Sequence, residues 1–199
     1  MFTALQALLN TWAVSFDLPI LEWIQAHLRS GFLDKIMPIV TLFGDGGVFW
    51  ILVAVALLLI AQHRKTGFSM GMALILGLLV CNIILKPQVA RIRPYDFQLQ
   101  EFGKEIALLI EAQHDFSFPS GHTIASFEAC TALMLHDKRM GIPATILAIL
   151  IAFSRLYLYV HYPSDVLVSV VLGILFGILG TFLVNCIYSK WVYKGKYTE

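Results

Sequence analysis

Long apolar stretches separated by short polar links run through most of the chain. Five of them, residues 46–62, 67–85, 122–136, 141–160 and 164–188, reach or approach the roughly 20 apolar residues that a membrane-spanning helix needs. The third stretch is short and contains Glu128, so it spans only if its ends reach into the interface. The pattern predicts an all-α, polytopic membrane helical bundle with about five or six transmembrane helices.

The first 43 residues follow a different pattern. Residues 1–16 are apolar, but Asp17, Pro19, Glu22, His27 and Arg29 then follow at intervals. We expect residues 1–29 to form one or two N-terminal amphipathic helices in the interface and residues 32–43 a short, partly buried helix. A sixth span within residues 1–28 is the alternative, and the charges count against it.

Composition supports a membrane environment for the whole chain. Hydrophobic residues make up 58% of the 199 residues and charged residues only 14%, whereas soluble domains carry roughly a quarter of their residues as charges. We therefore predict a single domain, residues 1–199, with an interfacial part (1–43), a transmembrane bundle (44–188) and a cytoplasmic tail (189–199). The net charge of +1 gives no indication of a nucleic-acid partner, and the chain does not predict its oligomeric state.

The positions of lysine and arginine predict the orientation. Arg64 and Lys65 link the first two spans, Lys138 and Arg139 link the third and fourth, and the C-terminal tail adds more lysines. These links share one side of the bundle, which the positive-inside rule makes cytoplasmic. Four cations on the opposite side break that rule and require another reason: Lys86, Arg91, Arg93 and Arg155.

Three polar segments are predicted to meet on that extracytoplasmic side. They are "KPQVARIRP" (86–94), "FSFPSGH" (116–122) and "SRLYLYVHYPSDV" (154–166). Lysine and bidentate arginine groups match tetrahedral oxyanions. Ser120 and Gly121 at a helix start add a hydroxyl, backbone N–H groups and room for close approach. The pattern makes five residues candidates for phosphate binding: Lys86, Arg93, Ser120, Gly121 and Arg155.

Two histidines and a carboxylate complete the candidate chemistry. His161 could attack phosphorus if its ring is held still with one nitrogen unprotonated, and Asp165 could accept a hydrogen bond from the other nitrogen. His122 could donate a proton to the leaving oxygen and later activate water. No metal or other cofactor is expected, because three cationic side chains already neutralise the transferring group.

The spacing Lys86-x6-Arg93-Pro94, then Pro119-Ser120-Gly121-His122, then Ser154-Arg155-x5-His161-x3-Asp165 resembles the signature of the type-2 phosphatidic acid phosphatase superfamily. The resemblance covers roughly residues 67–188. It implies a metal-independent lipid phosphatase that works through a phosphohistidine, with His161 and Asp165 as the nucleophile pair and His122 as the acid. The interfacial N-terminus looks like that of the shorter bacterial undecaprenyl pyrophosphate phosphatases, some of which have Asp where Gly121 stands.

The resemblance favours undecaprenyl diphosphate as the substrate. It also implies that the protein lies in the cell membrane, with membrane lipids as its partners. Phosphatidylglycerol phosphate or phosphatidic acid, and transfer of the phosphate to another acceptor, are the enzymatic alternatives. A protein that only binds or transports a lipid head group is the non-enzymatic one.

Several further positions carry open alternatives. For Arg91 the alternatives are a place in the phosphate pocket and a contact with lipid head groups. Glu128 is expected to make a helix–helix hydrogen bond or to face a cavity, rather than to take part in chemistry. His114 and Asp115 are expected on the loop surface. "EFGKEIALLIEA" (101–112) is predicted to form a short amphipathic helix.

Overall fold

The structure, a computed structural model, describes residues 8–195, and over that range the chain forms helices and no strand. The principal helices are α1 (Leu18–His27), α2 (Gly31–Leu42), α3 (Val48–Leu59), α4 (Arg64–Gly77), α5 (Pro94–Phe102), α6 (Gly121–His136), α7 (Lys138–Tyr157) and α8 (Pro163–Gly195). A π-helical segment, Leu78–Leu85, and a single turn, Lys86–Val89, extend α4. Residues 1–7 of the predicted interfacial part and residues 196–199 of the predicted tail lie outside the described residues.

The prediction of an all-α membrane bundle is confirmed. Four stretches of the described chain are long and apolar enough to cross a membrane: Gly31–Leu59, Ala61–Phe102, Lys138–Tyr157 and Pro163–Lys190. Large apolar side chains such as Leu59, Ile83 and Phe182 remain exposed on these helices, which suits a lipid surround. The division into an interfacial part, a bundle and a tail stays a prediction.

Helix α6 accounts for the difference between the predicted five or six spans and the four observed stretches. It has 16 residues and its sides are largely buried, because α4, α7 and α8 all contact it. A central helix faces protein rather than lipid, so its sequence carries small and polar residues that lower its hydropathy.

Glycines allow α8 to pack closely against α6 and α4. A Cβ atom at Gly173 would lie 2.7 Å from the Phe127 Cβ, and one at Gly177 would lie 2.6 Å from the Thr131 Cβ. Gly180 is equally tight against the backbone nitrogen of Ala73, at 2.7 Å. Small residues at such crossings let helix backbones approach where apolar burial alone provides little driving force.

The N-terminal part forms α1 and α2, as the sequence predicts, although α2 belongs to a stretch that also includes α3. Ser30 caps α2 by accepting a hydrogen bond from Leu33 N at 3.3 Å. Between α2 and α3 the chain turns through Gly46 and Gly47, whose φ values of 55° and 67° favour glycine. The interfacial position of α1 remains a prediction.

The short amphipathic helix predicted over residues 101–112 is wrong, because residues 103–112 form no helix. The helix lies earlier, in α5, and Gly103 ends it with φ of 63°. Beyond Gly103 the apolar residues of the segment pack in irregular conformation against a cluster that includes Leu21, Tyr157 and Tyr159. Tertiary burial of Ile106 and Leu109 therefore outweighs the helical periodicity.

Candidate active site

A cavity of about 410 Å³ lies at the end of the bundle where α6 and α8 begin and α7 ends. Three chain segments contribute to it: the extension of α4, the start of α6 and the link after α7. Six of the eight predicted site residues line the cavity: Lys86, Arg93, Gly121, His122, Arg155 and His161. The other two, Ser120 and Asp165, lie behind its wall.

Arg155 enters the cavity from the last turn of α7 and is 1% exposed. Its Nη1 donates to Thr41 Oγ1 at 2.6 Å. Its Nε and Nη2 have no hydrogen-bond partner among the described residues. A buried guanidinium with two unused donors facing a cavity is suited to an oxyanion.

Lys86 and Arg93 share a partner that the sequence reading placed on the loop surface. The Asp115 carboxylate forms ion pairs with Lys86 Nζ and with Arg93 Nη2, the latter at 2.5 Å. The Asp115 backbone oxygen also accepts from Arg93 Nε at 2.9 Å. Burial by itself raises the pKa of the Asp115 carboxyl, but these two cations outweigh it and hold the pKa well below its usual range.

His161 presents its Nε2 atom to the cations. Arg93 Nη1 lies 3.3 Å from that nitrogen, and since a guanidinium only donates, Nε2 is the acceptor and Nδ1 carries the proton. Burial, and then the charges of Arg93, Arg155 and Lys86, hold the pKa of His161 well below its ordinary value. The ring is therefore neutral, with a lone pair directed at the cation-lined part of the cavity.

A hydroxyl lies between His161 and Asp165. The direct distance from His161 Nδ1 to Asp165 Oδ2 is 3.7 Å, beyond a hydrogen bond. Ser117 Oγ donates to Asp165 Oδ2 at 2.5 Å and lies 3.5 Å from His161 Nδ1. The direct histidine–aspartate hydrogen bond expected from the sequence is thus replaced by an arrangement that includes Ser117.

His122 lies on the first turn of α6, on the wall of the cavity beside the Gly44–Gly47 turn. Its Nε2 is 4.0 Å from Asp45 Oδ1. A Cβ atom at Gly44 would lie 2.8 Å from the His122 Cδ2. The glycine is therefore needed for the imidazole to occupy its observed place.

Ser120 and Gly121 form the helix start, but only Gly121 lines the cavity. Ser120 is fully buried as the N-cap of α6, where its hydroxyl accepts from Thr123 Oγ1 at 3.0 Å. Its backbone N–H donates to Ser169 Oγ at 2.8 Å. The structure thus places the Ser120 side chain in capping contacts and leaves Gly121 to offer backbone to a ligand.

The structure also places the two residues with open alternatives. Arg91 neither lines the cavity nor reaches the surface; it is 4% exposed and pairs with Asp17 and Asp165. Glu128 faces the cavity, with its carboxylate against Gly77, and its Oε1 has no hydrogen-bond partner among the described residues. The cavity-facing alternative for Glu128 is the one observed.

Sequence reasoning missed several residues of the site: Asp17, Thr41, Asp45, Asn82, Asp115 and Ser117. Ser117 lies three residues before Ser120, so its segment was already singled out. The run Gly-Asp-Gly-Gly at 44–47 was a visible turn signal between two apolar segments. Asp17 and Thr41 gave no signal, because only the tertiary fold brings them to Arg91 and Arg155.

The helical membrane bundle holds a cavity lined by cations. A neutral histidine faces those cations and a second histidine lies beside it. These features together define the class of protein as a membrane phosphatase. Within the described residues no group of three or more His, Cys, Asp or Glu side chains is placed to hold a metal ion. The comparison with known proteins gives the family. Residues 66–188 match the PAP2 superfamily, and the chain belongs to that family of lipid phosphate hydrolases.

Relatives with assigned activities fall into more than one substrate group. The chain is 33% identical over 142 residues to an undecaprenyl-diphosphatase of Sulfolobus acidocaldarius, covering 71% of this chain and 66% of that protein. It is 32% identical over 147 residues to undecaprenyl-diphosphatase BcrC of Bacillus subtilis, covering 74% and 72%. It is 29% identical to phosphatidylglycerophosphatase B of the same organism, covering 87% and 86%.

Solved structures agree on the fold. The crystal structure of Aquifex aeolicus LpxE superposes with a TM-score of 0.71 at 26% identity, covering 83% of this chain and 94% of that one. The Bacillus subtilis PAP2-type phosphatidylglycerolphosphate phosphatase superposes with a TM-score of 0.68 at 27% identity, covering 95% and 92%.

Proposed function

We propose that this chain hydrolyses the terminal phosphate of undecaprenyl diphosphate through a phosphohistidine at His161. The observation that carries the proposal is an apolar groove between helices that shares three lining residues with the cation-lined cavity. Two relatives named undecaprenyl-diphosphatases support this choice of lipid.

The groove has a volume of about 610 Å³ and is lined by α3, α4 and the end of α8. Ile51, Leu74 and Leu78 belong to both the groove and the cavity. From Leu78 back to Gly67 helix α4 rises roughly 16 Å, about half the ~30 Å of a bilayer core. A phosphate among the cations therefore leaves its apolar chain a path along these helices.

The first chemical step forms a bond between His161 Nε2 and the terminal phosphorus. The bond from phosphorus to the leaving oxygen breaks, and that oxygen takes the electron pair and a proton from His122. Arg93, Arg155 and Lys86 stabilise the charge on the transferring group. Arg155 has unused donors for this purpose, and Gly121 offers its backbone N–H.

The second step returns His161 to its starting state. His122, now unprotonated, accepts a proton from a water molecule as that water attacks phosphorus. The bond between phosphorus and Nε2 breaks, and its electron pair returns to the imidazole. Asp165, acting across Ser117, stabilises the positive charge that the ring carries while phosphorylated. No step passes through a metal ion.

We place the site on the extracytoplasmic face, with the C-terminus cytoplasmic. Arg64, Lys65, Lys138 and Arg139 precede or begin helices whose other ends reach the cavity. The Ser69 hydroxyl, 2.9 Å from His136 Nε2, joins the basic ends of α4 and α6. The positive-inside rule then directs the cavity outward.

Phosphatidylglycerol phosphate is the second candidate substrate. The relative named for it aligns over more of this chain than the undecaprenyl-diphosphatases do. Both candidates present a terminal phosphate on an apolar anchor, so the cavity by itself accepts either. Substrate preference therefore has to be measured.

The test compares phosphate release by purified wild-type protein and by His161→Ala, with a chelator present. The panel contains undecaprenyl diphosphate, phosphatidylglycerol phosphate and phosphatidic acid, each with and without acceptor lipid. We expect the fastest turnover with the diphosphate and a loss on the order of 10³-fold in the variant. Full activity of His161→Ala or a strict need for added metal would contradict the mechanism, and faster turnover of another lipid would contradict the substrate assignment.

A further inference from the structure

A buried charge network lies directly behind His161 and reaches into the N-terminal part of the chain. Arg91 Nη2 donates to Asp17 Oδ2 at 2.7 Å and Arg91 Nη1 donates to Asp165 Oδ1 at 2.5 Å. The Arg91 guanidinium stacks over the Tyr162 ring, with its Cζ 3.7 Å from the ring centroid. Asp17 and Asp165 are both 0% exposed. None of the three charges is therefore compensated by solvent.

The second oxygen of Asp165 is the one that faces the nucleophile. Asp165 Oδ2 accepts from Ser117 Oγ at 2.5 Å and from Tyr162 N at 3.1 Å. Oδ1 is occupied by Arg91. Arg91 therefore fixes the rotation of the carboxylate and keeps Oδ2 directed towards Ser117 and His161.

The charge count of the network favours the reaction. Asp17 and Asp165 contribute two negative charges and Arg91 one positive charge, so the network carries one net negative charge when all three are ionised. If Asp17 were neutral, Arg91 would pair with Asp165 alone and cancel the charge that His161 needs. By sharing Arg91, Asp17 leaves Asp165 negative towards a ring that becomes positive on phosphorylation.

We propose that Asp17 and Arg91 are positioning residues for the nucleophile: they orient Asp165 and set the negative charge that it presents to His161. This inference rests on the proposed function. It connects the segment before α1, which carries no part of the phosphatase signature, to the chemical step.

Asp17 also has structural contacts, which the test must separate from its effect on charge. Its Oδ1 accepts from Ser164 N at 2.8 Å and its Oδ2 accepts from Ser164 Oγ at 2.8 Å. These bonds fasten the N-terminal segment to the start of α8. An Asp17→Asn side chain has nearly the same shape and retains one oxygen for Ser164 N, while it removes both the charge and the oxygen that accepts from Arg91 Nη2.

The deciding measurement is the pH profile of kcat/KM, corrected for the titration of the substrate. Its acidic limb reports protonation of free His161, because the neutral ring is the nucleophile and activity falls as pH drops through its pKa. The charged or titratable groups facing this ring are Lys86, Arg93, Asp115, His122, Arg155 and, across Ser117, Asp165 with Arg91 and Asp17. Only the last two differ in the variants below.

In Asp17→Asn we expect kcat to fall on the order of tenfold, with KM changed little, and the acidic limb to move to lower pH by about one unit. In Arg91→Met we expect the limb to move the opposite way, to higher pH, because Asp165 loses its cation. Opposite shifts are a result that simple loss of packing does not produce. Limbs that stay in place, or that move in one direction, would overturn the proposal.

Two controls complete the design. Asp17→Glu keeps the charge, so its limb should stay at the wild-type pH even if its kcat falls. Ser164→Ala removes a hydroxyl contact of Asp17 without a charge change, and its limb should also stay. If Asp17→Asn does not fold, Arg91→Met still tests the direction of the shift. Wild-type protein that forms no phosphoenzyme on rapid quenching with alkaline detergent, in which the phosphorus–nitrogen bond of phosphohistidine survives, would contradict the proposed function. Normal trapping with unshifted variants would contradict only this inference.

Discussion

At the scale of single residues, the Asp115 carboxylate pairs with two of the cations that are proposed to bind phosphate. These cations are Lys86 and Arg93, and the Asp115 side chain is 54% exposed. Because its pKa lies well below the usual range, the group is ionised throughout the neutral range of pH. A phosphate that enters the cavity therefore competes with Asp115 for the same donors.

We expect Asp115→Asn to strengthen competitive inhibition by inorganic phosphate by about two- to fivefold. The carboxylate is 54% exposed, and a solvent-screened ion pair is worth roughly 0.2–1 kcal/mol. The backbone bond from Arg93 to residue 115 remains, so Arg93 keeps one anchor. The inhibition constant for phosphate measures the effect. Glu111→Gln, an exposed carboxylate on the same loop, is the matched control. Weaker inhibition in Asp115→Asn would mean that the carboxylate chiefly organises the two cations.

At the scale of structural elements, the turn between α2 and α3 determines where His122 can lie. Gly44 has an ordinary φ of −99°, so a side chain there adds no backbone strain. A Cβ atom would instead lie 2.8 Å from both the His122 Cδ2 and the Ile151 Cγ2. The turn between α2 and α3 thus leaves space for the His122 imidazole, the proposed acid, because Gly44 has no side chain.

Gly44→Ala should displace the imidazole and lower kcat by about 10- to 100-fold, the cost of misplacing a catalytic group. The loss should be larger for substrates with poor leaving groups, because these depend most on the proton from His122. Turnover of two substrates with different leaving groups measures it. Gly31→Ala, a helical glycine with open space around it, is the control. Equal losses for both leaving groups would contradict the role of His122 as an acid.

At the scale of the whole molecule, the cavity and the groove together span the two environments that a lipid phosphate occupies. The charged and polar side chains of the site line the cavity, together with apolar ones such as Ile51 and Leu74 at its border with the groove. The groove is lined almost entirely by apolar residues from α3, α4 and the end of α8. Gly71 lies on the groove wall with no neighbour near the place of a Cβ atom.

Gly71→Leu should fill part of the groove without a clash in the bundle. We expect KM to rise about three- to tenfold for undecaprenyl diphosphate and to stay unchanged for a short-chain diphosphate, since burial of each CH₂ group contributes ~0.8 kcal/mol. Steady-state kinetics on both substrates measure the difference. Gly31→Leu provides the same substitution away from the groove. A uniform effect on both substrates would argue against a tail in this groove.

The agreement between sequence and structure varies with the kind of feature. Apolar length predicted the helices and the membrane bundle, because each span must satisfy its backbone hydrogen bonds within itself. Periodicity failed over residues 101–112, where Gly103 ends α5 and the following apolar residues pack individually. Residues 122–136, predicted as the weakest span, do form α6, but its 16 residues are too few for it to count among the four membrane-length stretches.

The sequence by itself determined the helical bundle and the set of ionisable groups at one of its ends, since lipid excludes uncompensated charge and the three motifs have fixed spacing. The tertiary structure alone decided how those groups pair. It placed Ser117 between His161 and Asp165, moved Ser120 out of the cavity into a helix cap, and gave Arg91 to Asp17 and Asp165. The physical reason is that a buried charge takes the partner that the packing of helices brings within hydrogen-bond distance, and that partner can lie anywhere along the chain.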